Sequence, residues 1–399
     1  MKIPTLDQAR IEGKRVLVRV DFNVSLAGDQ TIANDSRIRE AIPTIAHLLR
    51  NHATPILVSH LGRPNGIHDT RLSLSCVGKR LEQLIGRPVL LLDYFWKKEA
   101  LAKVRGLPTG TLILCENVRF YPGEEENELW FAQQLAALAH VFVNDAFGTA
   151  HRVHASTVGV TQYLPSFAGL LFAKEVEMIG RAMTRPKRPL LVVIGGGKTP
   201  EKIRVIEKLL DIADTVYLGG AVANTFFATW GISVGMSKVD HEMIEMARAV
   251  LWKATRVHAR LMLPSDVVVT NSDRTTKPFV LPFDRVPGTL GIFDIGPHAQ
   301  EELASMAKDA ATIIWNGPMG LYEDDRFMAG TKATFAAIAK SRAKSIIGGG
   351  DTISTITDAK LLARIDHIST GGSAMLEFME KGTLPAIEAL KNHVHTDRR

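Results

Sequence analysis

The sequence predicts a parallel α/β protein built in two halves. Short β-branched runs recur along the chain with helix-length segments between them, the alternation that successive βαβ units require. The length, 399 residues, corresponds to between two and three domains at about 150 residues each. Near the middle, KEVEMIGRAMT places Val176, Ile179 and Met183 at helical spacing and then meets RPKRP, where Pro186 and Pro189 bar a continuing helix. A boundary is therefore expected across residues 174–189, with one domain over 1–173 and a second from 190 onward. The basic cluster within it reads as an exposed linker.

Taken in order, the expected strands are residues 16–20, 56–58, 112–114 and 141–143 in the first half. Residues 190–194, 216–218 and 313–315, then Ile346 with Ile347, follow in the second. Each is a continuous apolar run, as a strand buried on both faces should be. Helical periodicity stands between them, in EKIRVIEKLL through Ile203, Ile206, Leu209 and Leu210, and again at Met375, Phe378 and Met379. Residues 271–291, rich in Pro, Asp and Gly, read as an irregular excursion with short edge strands and carry no assigned role. No internal repeat or low-complexity tract interrupts the pattern.

Composition narrows the class. Hydrophobic residues are 46% and charged residues 23%, which excludes disordered and collagen-like chains. No apolar run approaches the 18 or so residues of a membrane helix, so no membrane partner is expected. MKIPTLDQAR carries Pro4 and Asp7 where a signal peptide would be apolar, so the expected location is the cytoplasm. Only Cys76 and Cys115 occur, and both read as buried thiols. Lys and Arg outnumber Asp and Glu by 48 to 42, but the basic residues are scattered and aromatics are only 7%, which disfavours nucleic acid. A small anionic substrate and a solvated basic surface both remain compatible with that balance.

In open α/β sheets ligands bind beyond the carboxyl ends of the strands, so the residues just after each apolar run are the informative ones. In the first half these are Asp21, Phe22 and Asn23, then His60 and Arg63, then Glu116, Asn117 and Arg119, then Asn144 and Asp145. Several arginines at one sheet edge suit a small multiply charged anion, because guanidinium binds carboxylate and phosphate bidentately and stays charged. In the second half they are Gly195, Gly196, Gly197 and Lys198, then Gly219 and Gly220, then Asn316, Gly317 and Pro318, then Gly348, Gly349, Gly350, Asp351 and Thr352. Glycines followed at once by a helix suit a phosphate chain, since the backbone can come close and free N–H groups point at the anion. GGGKT is not a Walker A loop, because Val192 stands where that pattern needs Gly. The dinucleotide fingerprint fails too, at Pro200 counted from Gly195 and at Ile353 counted from Gly348. His151 and His154 in HRVH have a metal-site spacing but no third ligand.

At these residues the sequence resembles phosphoglycerate kinase, from about residue 16 to residue 390. VDFNV (20–24), SHLGRP (59–64), ENVRFYPGEE (116–125), VNDAFGTAHRVHAST (143–157), LGGAVANTF (218–226), DIGP (294–297), WNGPMG (315–320), GGGDT (348–352) and STGG (369–372) occur in the family's order. The resemblance implies two Rossmann-like domains, each a parallel sheet flanked by helices, separated by a hinged cleft. The second domain would run over 190–384, with 385–399 returning to the first. It implies phosphoglycerate on Asp21, Phe22, Asn23, Arg37, His60, Leu61, Gly62, Arg63, Arg119 and Arg152, with Arg37 nearest the transferred phosphoryl. For the nucleotide it implies Lys198 and Lys202 on the phosphates, Gly219, Gly220 and Glu323 around adenosine, Asn316 and Pro318 beside them, and Gly349, Gly350, Asp351 and Thr352 at the phosphate chain. Asp351 would hold Mg²⁺, and Arg37, Lys198 and Lys202 would act in catalysis.

One stretch departs from the family. Between the Gly pair and the acidic residue before Lys202, the family usually carries a small residue, Lys, Val and a small residue, whereas Gly197, Lys198, Thr199 and Pro200 stand here. Thr199 then reads as an N-cap and Pro200 as the first helical residue, which keeps Lys202 in the first turn. The implied reaction passes the γ-phosphoryl of Mg-ATP to the carboxylate of 3-phosphoglycerate, giving 1,3-bisphosphoglycerate and ADP, and runs backwards in glycolysis. The expected partners are these small molecules alone, and the expected state is a monomer. Three rivals are a solute-binding protein, which needs export, a NAD-dependent dehydrogenase, which needs the missing fingerprint, and a catalytically idle nucleotide-binding relative.

Overall fold

The structure, a computed structural model, describes residues 2–28, 30–197, 199–356 and 358–393. The chain forms two compact units. Unit 1 takes the chain through Glu177 and again from Thr383, and unit 2 takes Met178–Gly382. The division falls inside the helix Leu170–Thr184, and the return falls just before the helix Pro385–His393.

Unit 1 is built on six strands, β1 (Arg15–Arg19), β2 (Thr54–Val58), β3 (Val89–Leu92), β4 (Leu112–Cys115), β5 (Val141–Asn144) and β6 (Ser166–Ala168). They lie in the order β3-β4-β2-β1-β5-β6, and every pairing is parallel. Successive side chains of a strand point to opposite faces, which gives this sheet a core on each side. Val16, Val18 and Leu57 pack into one cluster and Leu17, Ile56 and Val58 into the other. That two-sided burial explains the continuous apolar runs. The strand order reverses direction at β1, so the loops after β1 and β5 part and leave a crevice at the carboxyl edge.

Unit 2 repeats the plan with β7 (Leu190–Ile194), β8 (Thr215–Leu218), β9 (Arg260–Met262), a separate group β10 (Asp266–Asn271), β11 (Phe279–Pro282) and β12 (Leu290–Ile295), then β13 (Thr312–Asn316), β14 (Lys344–Gly348) and β15 (His367–Ile368). The parallel sheet runs β15-β14-β13-β7-β8-β9, with its reversal between β7 and β13. Its buried Trp315 and Tyr217 lie in one core cluster with Leu191, Val193 and Ile313. The helices Thr199–Leu209 and Ser373–Lys381 turn inward the residues that the periodicity selects, with Ile203, Ile206, Met375 and Met379 all fully buried.

Residues 271–291 carry the expected short edge strand, β11, among irregular turns, and β10 pairs antiparallel with both β11 and β12, with a register shift between Val268 and Val269. Other expectations need correction. Cys115 is buried, but Cys76 is only half-buried. The helix expected to begin at Pro200 begins at Thr199, and the one after GGGDT is a single short element, Gly350–Ser354.

Candidate functional site

In unit 1 the loops after β1, β2 and β4 are tied to one another, which fixes the residues they carry. The Phe22 N–H donates to Ser59 Oγ at 2.8 Å, and the Gly62 N–H donates to Asn23 Oδ1 at 2.9 Å. Asn117 donates through Nδ2 to the carbonyls of Leu61 (2.8 Å) and Leu72 (2.9 Å), and Arg119 donates through Nη1 to the Gly62 carbonyl at 2.9 Å. Phe22 and Leu61 have their side chains in the core, so only their backbone can serve a ligand. Asp21 accepts a hydrogen bond from Arg37, which the helix Ser36–Arg50 presents. Arg63 is exposed on the loop after β2.

The electrostatics of this edge converge on His60. Burial first, then the charges of Arg19, Arg119, Arg37 and Arg152, hold its pKa well below the ordinary imidazole range. His154 is likewise pushed down to about 3 by burial and by Arg119, Arg19 and Arg152. HRVH therefore stands among arginines, surroundings that repel a divalent cation and welcome an anion.

In unit 2 the carboxyl ends of β7, β8, β13 and β14 border a cavity of about 610 Å³. Of the sequence-selected residues, Lys202, Gly220, Asn316, Pro318 and Glu323 line it, as do Gly349, Gly350 and Thr352. Gly219 is set back against Met319. Lys198 and the side chain of Asp351 lie outside the described residues. Gly317 has φ +94° and Gly220 has φ +57°, and a Cβ on Gly317 would strike the Gly195 carbonyl. These glycines let three strand ends pack backbone to backbone. Lys202, in the first turn of the helix Thr199–Leu209, is buried and donates to the Gly195 carbonyl. Thr352 Oγ1 accepts from the Gly317 N–H at 2.9 Å, tying the end of β13 to the helix Gly350–Ser354.

Several contributors escaped the sequence reading, and one residue it did select, Asn316, has a feature that only the packed structure shows. The amide atoms Asn316 Nδ2 and Asn224 Oδ1 are buried without a hydrogen-bond partner among the described residues, and both residues line the cavity. Such groups cost stability unless a ligand satisfies them. Asn224 lies inside a quoted motif but on a helix, Gly220–Thr229, where strand-end logic does not look. Asp294 also lines the cavity, and burial pushes its carboxyl up to about 7, so it holds much of its proton near neutrality. Apolar walls come from Phe227, Phe293 and Leu321. Arg19, Glu124 and Ser156 are buried beneath the anion-facing edge of unit 1 and belong to no motif offset that the sequence marks as functional.

Comparison with known proteins places the chain in a family. The phosphoglycerate kinase family profile matches residues 6–382. A phosphoglycerate kinase of Pelotomaculum thermopropionicum is 44% identical over 387 residues, covering 97% of this chain and 98% of the relative. The phosphoglycerate kinase structure from Coxiella burnetii superposes with TM-score 0.86 at 38% identity, over 98% of this chain and 99% of that one. That from Pyrococcus horikoshii OT3 superposes with TM-score 0.88 at 29% identity, over 98% and 100%. An arginine-rich strand edge on one sheet, a glycine-walled cavity on the other and likeness along nearly the whole length lead to one conclusion: the chain belongs to the phosphoglycerate kinase family.

Proposed function

We propose that unit 1 binds 3-phosphoglycerate at the edge around His60, that unit 2 binds ATP or ADP in the glycine-walled cavity, and that the chain moves a phosphoryl group reversibly between them. The products are 1,3-bisphosphoglycerate and ADP, and the reverse direction makes ATP in glycolysis. The observation that supports this most is the convergence of Arg19, Arg37, Arg119 and Arg152 on one buried histidine.

A carboxylic acid with a pKa near 3.5 is already ionised at neutral pH, so its oxygen can attack without a general base. Repulsion among carboxylate, phosphate ester and polyphosphate is the obstacle, and in-line positioning with fixed positive charge overcomes it. Arg37 exchanges Asp21 for the substrate and meets the transferring group. Arg63, Arg119 and Arg152 hold the phosphate ester, with Asn23 and the Gly62 backbone orienting the remainder. Lys202 leaves the Gly195 carbonyl for the phosphate oxygens, and Lys198 reaches along the same chain. Asn316 donates through its unpartnered Nδ2.

The cavity fits a magnesium nucleotide in one respect that can be tested: Gly349 and Gly350 leave room for phosphates beside the backbone of Asp351. Magnesium brought by a nucleotide commonly needs only one or two carboxylates from the protein. Asp351 would supply one, and the ion when bound would neutralise the phosphate oxygens. Because the substrates belong to different units, closure precedes transfer. The reading includes action as a cytoplasmic monomer; light scattering coupled to gel filtration tests the monomer.

Incubation with Mg-ATP and 3-phosphoglycerate, with hydroxylamine trapping the acyl phosphate, tests the function. Hydroxamate that requires both substrates is expected. Nucleotide binding without any hydroxamate would leave only the idle relative.

A further inference from the structure

Beneath the cationic edge of unit 1 runs a buried relay of polar groups. Glu124 is fully buried, and its carboxyl accepts the Ser156 backbone N–H at 2.9 Å and the Ser156 hydroxyl at 2.6 Å. With its hydroxyl hydrogen directed at Glu124, the Ser156 oxygen can still accept, and Arg19 Nε donates to it at 2.8 Å. The same guanidinium donates to the Val20 carbonyl and reaches His60 Nδ1 at 3.2 Å through Nη2. Guanidinium has donors only and stays charged, so His60 Nδ1 must be the acceptor. A neutral imidazole that accepts on Nδ1 carries its proton on Nε2.

The charges that bear most on His60 favour that neutral ring. They are Arg19 from β1, which touches it, and at longer range Arg119 from the turn after β4, Arg37 from the helix Ser36–Arg50 and Arg152 from the turn after β5. His60 is also 4% exposed, so water does little to stabilise an imidazolium there.

We propose that Glu124, Ser156 and Arg19 are positioning residues that lock His60 as its Nε2–H tautomer, giving the anion site one fixed neutral donor among its arginines. Arginines supply charge to the bound anion, and a locked imidazole N–H adds direction, because its donor axis is set by the bond on the other side of the ring. No proton is transferred. The pull begins at a fully buried carboxyl: Glu124 orients Ser156, Ser156 orients Arg19, and Arg19 orients the ring. The role rests on the reading of this edge as the phosphoglycerate site.

Ring ¹⁵N spectra of the full chain without ligands, from pH 5.5 to 8.5, read the tautomer directly, with the His60 signals assigned through His60→Gln. Unprotonated Nδ1, protonated Nε2 and no titration across the range are expected. Ser156→Ala should release the ring, seen as mixed tautomers or a titration entering the range, and should raise the KM for 3-phosphoglycerate about tenfold, the value of one directional hydrogen bond, with kcat little changed. Ser156→Thr keeps a hydroxyl and should restore both signals and KM. A wild-type ring protonated on Nδ1, or titrating near its ordinary value, overturns the proposal even if no variant folds. Ser156→Ala with wild-type ring signals and KM overturns it as well. A wild-type chain with the locked ring but no turnover of 3-phosphoglycerate would instead overturn the site reading, and with it the role assigned to the lock.

Discussion

Arg37 is 36% exposed where it meets Asp21, and that exposure decides what its removal does. Ion pairs so close to solvent contribute little to stability, about 1 kcal/mol or less. Arg37→Ala should therefore leave the melting temperature nearly unchanged while kcat falls roughly 10²- to 10³-fold, the loss expected for one preorganised charge on the transition state. Steady-state kinetics beside a thermal melt checks it, and normal turnover would return Arg37 to the class of surface charges. Asp145 behaves oppositely, as a buried stability residue. Its Oδ1 accepts from the N–H groups of Leu171 (2.9 Å) and Phe172 (3.2 Å), yet burial pushes its pKa up to about 7. The folded chain thus keeps a proton that the unfolded chain releases near its ordinary value of 3.8, so the contribution is full below that value and is lost as pH rises towards 7. His154, held down at about 3, acts with the other sign and loses its contribution as pH falls below 6.5. Because the two oppose, the wild-type profile cannot separate them. Asp145→Asn should gain stability relative to wild type between pH 5 and pH 8 in urea melts, and an unchanged difference would show that Asp145 does not titrate there. Asp21, His60 and Arg119 were legible because they follow apolar runs. Arg19 was not, since it sits inside β1, and its function is created by burial against Glu124 and Ser156, which no local pattern encodes.

At the scale of elements, legibility followed sheet position. Every central strand of both parallel sheets was marked by an apolar run, within one or two residues at its ends. The four left unmarked, β3, β6, β9 and β15, are the four edges. An edge strand has fewer neighbours to bury it, so β9 can be Arg-Leu-Met and β15 only His-Ile, too polar or too short to declare themselves. The unusual GGGKTPEK stretch gives its own test. The helix Thr199–Leu209 starts one residue earlier than its Pro suggests, and Lys202 remains in its first turn against the strand-end glycines. Lys202→Ala should lower kcat on the order of 10²- to 10³-fold, as for a lost transition-state donor. Lys198→Ala should act mainly on the KM for the nucleotide. Movement of neither constant beyond about twofold would mean that both lysines have other work in this chain. Asn316 was legible as a strand-end residue, but Asn224 was not legible as a site group, because what distinguishes it is an amide atom left without a partner, a property of the packed cavity.

For the whole molecule, the notable fact is that unit 1 is not continuous in sequence. The helix Pro385–His393 packs on β6, the Ala386 N–H donates to the Ala150 carbonyl at 3.1 Å, and Leu384, Ile387 and Leu390 are buried. Burying one large aliphatic side chain contributes about 1.5–3 kcal/mol, so three of them approach the roughly 5–15 kcal/mol that holds a domain folded. A chain ending at Gly382 should therefore show much faster hydrogen exchange in β1 and β5, with β7 and β13 protected as before. Equal protection in all four strands would show that the returning segment is dispensable. The same connectivity sets an order of events on the ribosome. Unit 1 is synthesised first but finished last, because residues 178–382 emerge before Thr383 does. At about 5–20 residues per second that interval lasts on the order of 10–40 s. Throughout it the nascent first unit carries an open apolar seat where Leu384, Ile387 and Leu390 will lie, and that is the period in which a holdase would find it.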